Sequence, residues 1–123
     1  MLMLWEYGRS EEMSYKIAVA SLDGKFVNEH FGRAKEFHIV EVSESKYEYL
    51  ETRKNMPSKR YDNRHEYAIS EAIELIADCR FVLVSQIGPG AEKVLDAKGI
   101  KPYVIPNFID DALIQIISLN KGE

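Results

Sequence analysis

Two short segments hold side chains suited to binding chemistry. The first reads Asp23-Gly24-Lys25, followed by His30-Phe31-Gly32-Arg33. A neutral imidazole offers a lone pair to a metal ion, which makes His30 the candidate ligand. Gly32 leaves room for a bulky ligand to approach, and Lys25, Arg33 and Lys35 can offset negative charge on it. The same residues also have plain roles: a solvent-facing histidine, a phenylalanine that plugs the core and a glycine that lets the chain turn. Structural metal sites usually gather four donors, and one histidine does not amount to that. The second segment, Ile87-Gly88-Pro89-Gly90-Ala91, opens a predicted helix. Helix N-termini present N–H groups and partial positive charge to anions. An ordinary strand-to-helix turn would have the same sequence. The segment is neither a P-loop nor a dinucleotide fingerprint, because both need longer patterns.

Other residues carry weaker signals. Cys79, in Asp78-Cys79-Arg80, reads as a small half-buried thiol. His38 lies inside a predicted strand, as a packed or edge histidine, and His65 opens a helix after a polar loop and is expected to face solvent. The seven tyrosines lack the arrangement of a base-stacking platform. One cysteine allows no internal disulfide, which suits a reducing compartment, and it cannot supply a four-cysteine iron–sulfur site. A net charge of −4 argues against general nucleic-acid binding, which needs a basic footprint. No apolar run approaches the roughly 20 residues that cross a bilayer. The opening Met1-Leu2-Met3-Leu4-Trp5 lacks the basic start and apolar length of a secretory signal. A cytoplasmic monomer or small homo-oligomer is the expectation, with no nucleic-acid or membrane partner.

The elements that must position these segments follow from periodicity. Residues 1–13 show none and read as a loosely held N-terminal extension, with one domain over 14–123. Strands are predicted at Tyr15–Ala20, Glu36–Val42 and Tyr47–Arg53, the last two joined by the hairpin-length link Ser43-Glu44-Ser45-Lys46. The polar load of the third suits a sheet edge. After a loop-like stretch at Asn55–Asn63, apolar residues at three- and four-residue intervals predict a helix over Arg64–Asp78. The continuous apolar run Arg80–Ser85 reads as a strand covered on both faces. Pro89 and Gly99 bracket a second helix over Pro89–Lys98, a fifth strand spans Lys101–Ile105, and Asn107 caps a last helix buried through Ile109, Leu113, Ile116 and Ile117. Right-handed crossovers make strands four and five parallel. The simplest result is an α/β fold with a mixed five-stranded sheet in order 3-2-1-4-5 and helices on both faces, a ribonuclease-H-like topology. Connections diverge between strands one and four, and a ligand crevice belongs at their carboxyl ends. The two chemical segments are the loops that meet there.

With these residues in view, Lys16–Val42 (KIAVASLDGKFVNEHFGRAKEFHIVEV) and Ile76–Ile105 (IADCRFVLVSQIGPGAEKVLDAKGIKPYVI) together resemble the dinitrogenase iron–molybdenum cofactor biosynthesis family. That family includes NifX-type carriers and the C-terminal domain of NifB-type proteins. The resemblance covers nearly all of residues 14–119. It implies a stand-alone module that binds an iron–sulfur-containing cofactor or precursor and passes it between donor and acceptor proteins, without catalysis. It makes His30 the implied metal ligand. The cofactor-binding residues to test are Asp23, Gly24, His30, Phe31, Gly32, Arg33, Gly88, Pro89 and Gly90. A small-anion-binding or protein-interaction module of the same fold, without metal and without a link to nitrogen fixation, is the alternative. A nuclease or phosphotransferase would need clustered carboxylates holding divalent metals, and the fourth strand offers none.

Overall fold

The computed structural model describes residues 14–55 and 65–120. The readings of residues 1–13 as an arm, of 56–63 as loop and of the His65 side chain as solvent-facing lie outside what is described. Three consecutive strands, β1 (Tyr15–Ala20), β2 (Glu36–Ser43) and β3 (Lys46–Lys54), precede α1 (His65–Leu75), after which β4 (Phe81–Val84), α2 (Pro89–Ala97), β5 (Lys101–Val104) and α3 (Ile109–Asn120) alternate. The sheet order is β3-β2-β1-β4-β5, with β1 antiparallel to β2 and parallel to β4. This is the predicted topology.

Alternation along the strands divides the core in two. Ala18, Ala20, Phe37, Ile39, Val82 and Val84 face α1 and α2, where Ala72, Ile73, Ile76 and Leu95 meet them. Ile17, Val19, Val40, Val42, Phe81 and Leu83 face α3, against Ala112, Leu113, Ile116 and Ile117. β1 and β4 are buried on both faces, which explains their continuous apolar runs. Each fully buried large apolar side chain contributes about 1.5–3 kcal/mol.

Local chemistry sets the joints. The β2–β3 hairpin turns through Glu44 and Ser45, both at positive φ (53° and 69°), the primed turn that matches strand twist. β3 is the sheet edge that its charges suggested. A bulge between the Ile39 and Val40 pairings leaves Leu50 as an extra residue in β3. The α2 C-terminus ends at Gly99, φ +81°, where Gly99 N–H donates to Asp96 O at 3.0 Å and Ile100 N–H to Leu95 O at 2.9 Å. Glycine takes that left-handed position without a Cβ clash.

Candidate functional site

The loop after β1 is stitched down along two lines. Its first half turns on Asp23, whose Oδ1 accepts N–H groups from Lys25 (2.9 Å) and Phe26 (3.1 Å) and the Ser21 hydroxyl (3.2 Å). Those backbone donors hold the Asp23 carboxyl below its usual range. Ser21 Oγ also accepts the Gly24 N–H at 2.9 Å, while Gly24 sits at φ +74°. Asp23 therefore builds the turn, with one carboxylate oxygen fully engaged. Next, Val27 N–H donates to Asn107 O (2.9 Å), and Ile109 N–H donates to Lys25 O (2.8 Å), tying this half to the entry of α3.

The second half runs beside the end of β4. Ser85 N–H donates to Glu29 O (3.0 Å), Phe31 N–H donates to Gln86 O (2.9 Å), and His30 forms a parallel bridge with Gln86. The loop thus continues the sheet for a few residues, and His30 emerges exposed beside the segment that leads into Ile87–Gly90. A short 3-10 turn, Phe31–Arg33, follows with His30 as its N-cap. Phe31 is 0% exposed and its ring packs 5.9 Å from that of Phe37, centroid to centroid. Its side chain anchors the loop from beneath; the expectation of this ring among ligand contacts gives way to a core position. Gly32 is half-buried and Arg33 exposed, one residue beyond Gly32 on the same 3-10 turn.

Gly88 is the N-cap of α2, without a side-chain cap, and Pro89 opens the helix. First-turn N–H groups have no carbonyl one turn earlier to pair with. Gly88, Pro89 and Gly90 are exposed, and a Cβ built on either glycine meets nothing within 4 Å. Packing does not demand glycine at either position. The His30–Gln86 bridge sets the His30 loop against the strand-four segment that leads into the Gly-Pro-Gly corner.

Gly24 and Lys25 belong elsewhere. They line a groove of about 710 Å³ on the α3 side of the sheet, whose lining includes neither His30 nor Gly88–Gly90. Sequence reading missed this groove and also missed Gln86 as the neighbour of His30. Tyr47 and Tyr49 share a face by simple alternation, but Thr52 joins them only because the bulge shifts the register. His38, read as a packed or edge histidine, is partly buried there: its Nε2 lies 3.2 Å from Ser21 O and its Nδ1 3.1 Å from Thr52 Oγ1. Cys79 is more deeply buried than expected, at 4% exposure, and burial with the neighbouring Asp78 pushes its thiol pKa up to about 12. No group of three or more His, Cys, Asp or Glu side chains gathers to hold a metal ion among the described residues. No helix there is long and apolar enough to cross a membrane.

A family model, Dinitrogenase iron-molybdenum cofactor, matches residues 13–119. The chain belongs to this family. Members similar to it include the FeMo cofactor biosynthesis protein NifB of Frankia alni, 35% identical over 105 residues that make up 81% of this chain and 20% of that protein. Protein NifX of Sinorhizobium fredii (strain NBRC 101917 / NGR234) is 30% identical over 80% of this chain and 65% of its own length. The chain thus spans about a fifth of the NifB relative and just under two thirds of the NifX one. The fold recurs in the crystal structure of PH0822, with TM-score 0.65, 22% identity and coverage of 84% of this chain and 90% of that one. It recurs in mj0327 of Methanocaldococcus jannaschii, with TM-score 0.58, 16% identity and coverage of 85% and 89%.

Proposed function

We propose that this dinitrogenase iron–molybdenum cofactor family chain is a carrier module in cofactor biosynthesis, binding an iron–sulfur-containing metallocofactor or its precursor as cargo. The observation that supports this most is the His30–Gln86 backbone bridge, which brings the exposed His30 to the segment leading into the Gly-Pro-Gly corner. His30 would ligate the cargo through a neutral ring nitrogen. First-turn N–H groups of α2 and the Arg33 guanidinium would answer its negative charge. The absence of side chains at Gly88 and Gly90 leaves the corner open to a large inorganic cluster. A cargo that must leave again suits few protein donors, because every added ligand slows release.

The module acts by binding and release and needs no catalytic group. Its partners are the proteins that donate and accept the cargo, in the cytoplasm. The names NifB and NifX, carried by the similar proteins, support the cofactor class.

The test is an anaerobic titration with isolated iron–molybdenum cofactor, comparing the wild type with His30→Ala. An exposed side chain can be removed with a stability change within about 0.5 kcal/mol, so both proteins stay folded. Affinity of the variant should fall at least about tenfold, the equivalent of one lost coordinate interaction of about 1.4 kcal/mol or more. Equal affinity in both would remove His30 from the site and favour anion binding by the corner alone.

A further inference from the structure

The groove on the α3 side of the sheet stands apart from the His30 corner. Its volume, about 710 Å³, lies within the range of small-molecule sites, roughly 300–1,000 Å³. The floor is apolar, with Val40 and Leu113 nearly fully buried. Two of its aromatic lining residues are left open: Tyr49 from β3 is 59% exposed and Phe108, just before α3, is 58% exposed. The Tyr49 ring is held in place. If His38 Nε2–H donates to Ser21 O, its Nδ1 accepts from the Thr52 hydroxyl (3.1 Å), which in turn accepts from the Tyr49 hydroxyl (2.6 Å). Such a chain uses both ring nitrogens and fixes the wall before any ligand arrives.

Charge indicates what the groove suits. Asp110 and Asp111, in the first turn of α3, both line it. Among the described residues the ion pairs involve neither carboxylate. Asp110 Oδ1 accepts the Tyr47 hydroxyl at 2.9 Å, a neutral partner, so the partial positive charge of the α3 N-terminus offsets only part of the charge of the pair. The other charged or titratable residues of the lining are Lys25, His38 and the two tyrosines. His38 has its own carboxylate neighbour in Glu36, 3.7 Å from Nε2, so among the lining residues Lys25 is the one other cation beside the two carboxylates. Tyrosine faces attract cations through the ring quadrupole, and more strongly where water is partly excluded.

We propose that this groove is a binding site for a small organic cation, an ammonium or guanidinium group carried on an apolar body. The body lies over Val40 and Leu113 between Tyr49 and Phe108, and the cationic head meets Asp110 and Asp111. The site is independent of the cargo reading for His30.

The test is an NMR titration of the full chain with benzyltrimethylammonium as the probe, and with benzyl alcohol and phenylacetate as neutral and anionic controls of similar shape. Saturable shifts at the amides of Tyr49, Thr52, Asp110 and Asp111 are expected from the cation, with both controls at least about tenfold weaker. The Asp110→Asn/Asp111→Asn variant should weaken the cation by about tenfold. Tyr49→Leu, on an exposed edge strand, tests the aromatic wall if the double variant fails to fold. His30→Ala should bind the probe as wild type does, which separates this result from the fate of the cargo reading. Three results would overturn the assignment: no saturable binding tighter than about 10 mM, phenylacetate binding as well as the cation, or shifts confined to another face.

Discussion

Replacing Gly90 by alanine separates what the corner does for the fold from what it does for a ligand. Gly90 is the second residue of α2, after Pro89, and does not occupy a positive-φ conformation. A Cβ there meets nothing within 4 Å, so the substitution introduces no clash and no backbone strain. In a helix interior, alanine is about 0.8–1 kcal/mol better than glycine, and a first-turn position should realise roughly half of that. The expected gain is therefore about 0.5 kcal/mol. For a domain of this size 1 kcal/mol moves Tm by about 3–5 °C, so Gly90→Ala should melt about 2 °C higher. Urea unfolding should show a higher midpoint at unchanged slope, which assigns the change to stability rather than to a remodelled native or denatured state. Affinity for isolated iron–molybdenum cofactor should fall in the same protein, because the methyl group occupies the open space over the corner. A destabilisation larger than about 1 kcal/mol would refute the reasoning, since it would mean that the space is not open or that the helix does not begin there. Unchanged affinity beside raised stability would place the cargo away from Gly90.

Other expectations follow from the opposite end of the sheet and from the hairpin. Arg53 holds Asp78 with two bonds, of 2.7 and 3.0 Å, and Lys16 adds a third at 3.3 Å. The hydrogen-bonded Arg53 guanidinium keeps the Asp78 carboxyl well below its ordinary pKa. Because the Asp78 side chain is 46% exposed, solvent screening reduces the pair to about 1 kcal/mol despite its bidentate geometry. A depressed folded pKa stabilises above the unfolded value near 4 and is lost as pH falls below it. Asp78→Asn should therefore cost about 1 kcal/mol at pH 7 in urea unfolding, and the gap to wild type should close on acidification below about pH 4. A gap that widens in acid would contradict this. Cys79, with its thiol near pKa 12, should react with iodoacetamide at pH 8 about a thousandfold more slowly than a free thiol. Rapid labelling of the folded protein would show that the thiol is accessible. Ser45→Gly, at φ 69°, should raise stability by about 1 kcal/mol by relieving the left-handed conformation of the hairpin turn. A loss of stability in thermal melts would mean that Ser45 contributes a contact worth more than the strain.

The strand order was legible because few topologies satisfy right-handed crossovers, short connections and the burial patterns of β1 and β4 at once. The His30 and Gly-Pro-Gly loops could be assigned to one end of the sheet on the same grounds, since both follow strands on either side of the divergence. The two faces of the core were written in alternation, and the ends of α2 in Pro89 and Gly99. What alternation could not reveal was the fate of irregular backbone. The bridge between His30 and Gln86 depends on hydrogen bonds between residues far apart in the chain, and no local pattern encodes it. Phe31 looked like a ligand neighbour beside His30, yet a 3-10 turn sends its ring inward while the imidazole stays outside. The single extra residue at Leu50 reverses the alternation in β3 and brings Thr52 onto the face of Tyr49 and His38. The amino-acid order determined which elements form and which face each one buries, because those depend on local periodicity. Tertiary structure alone decided which loop atoms meet and where a groove is left open, because those depend on register and on contacts between distant segments.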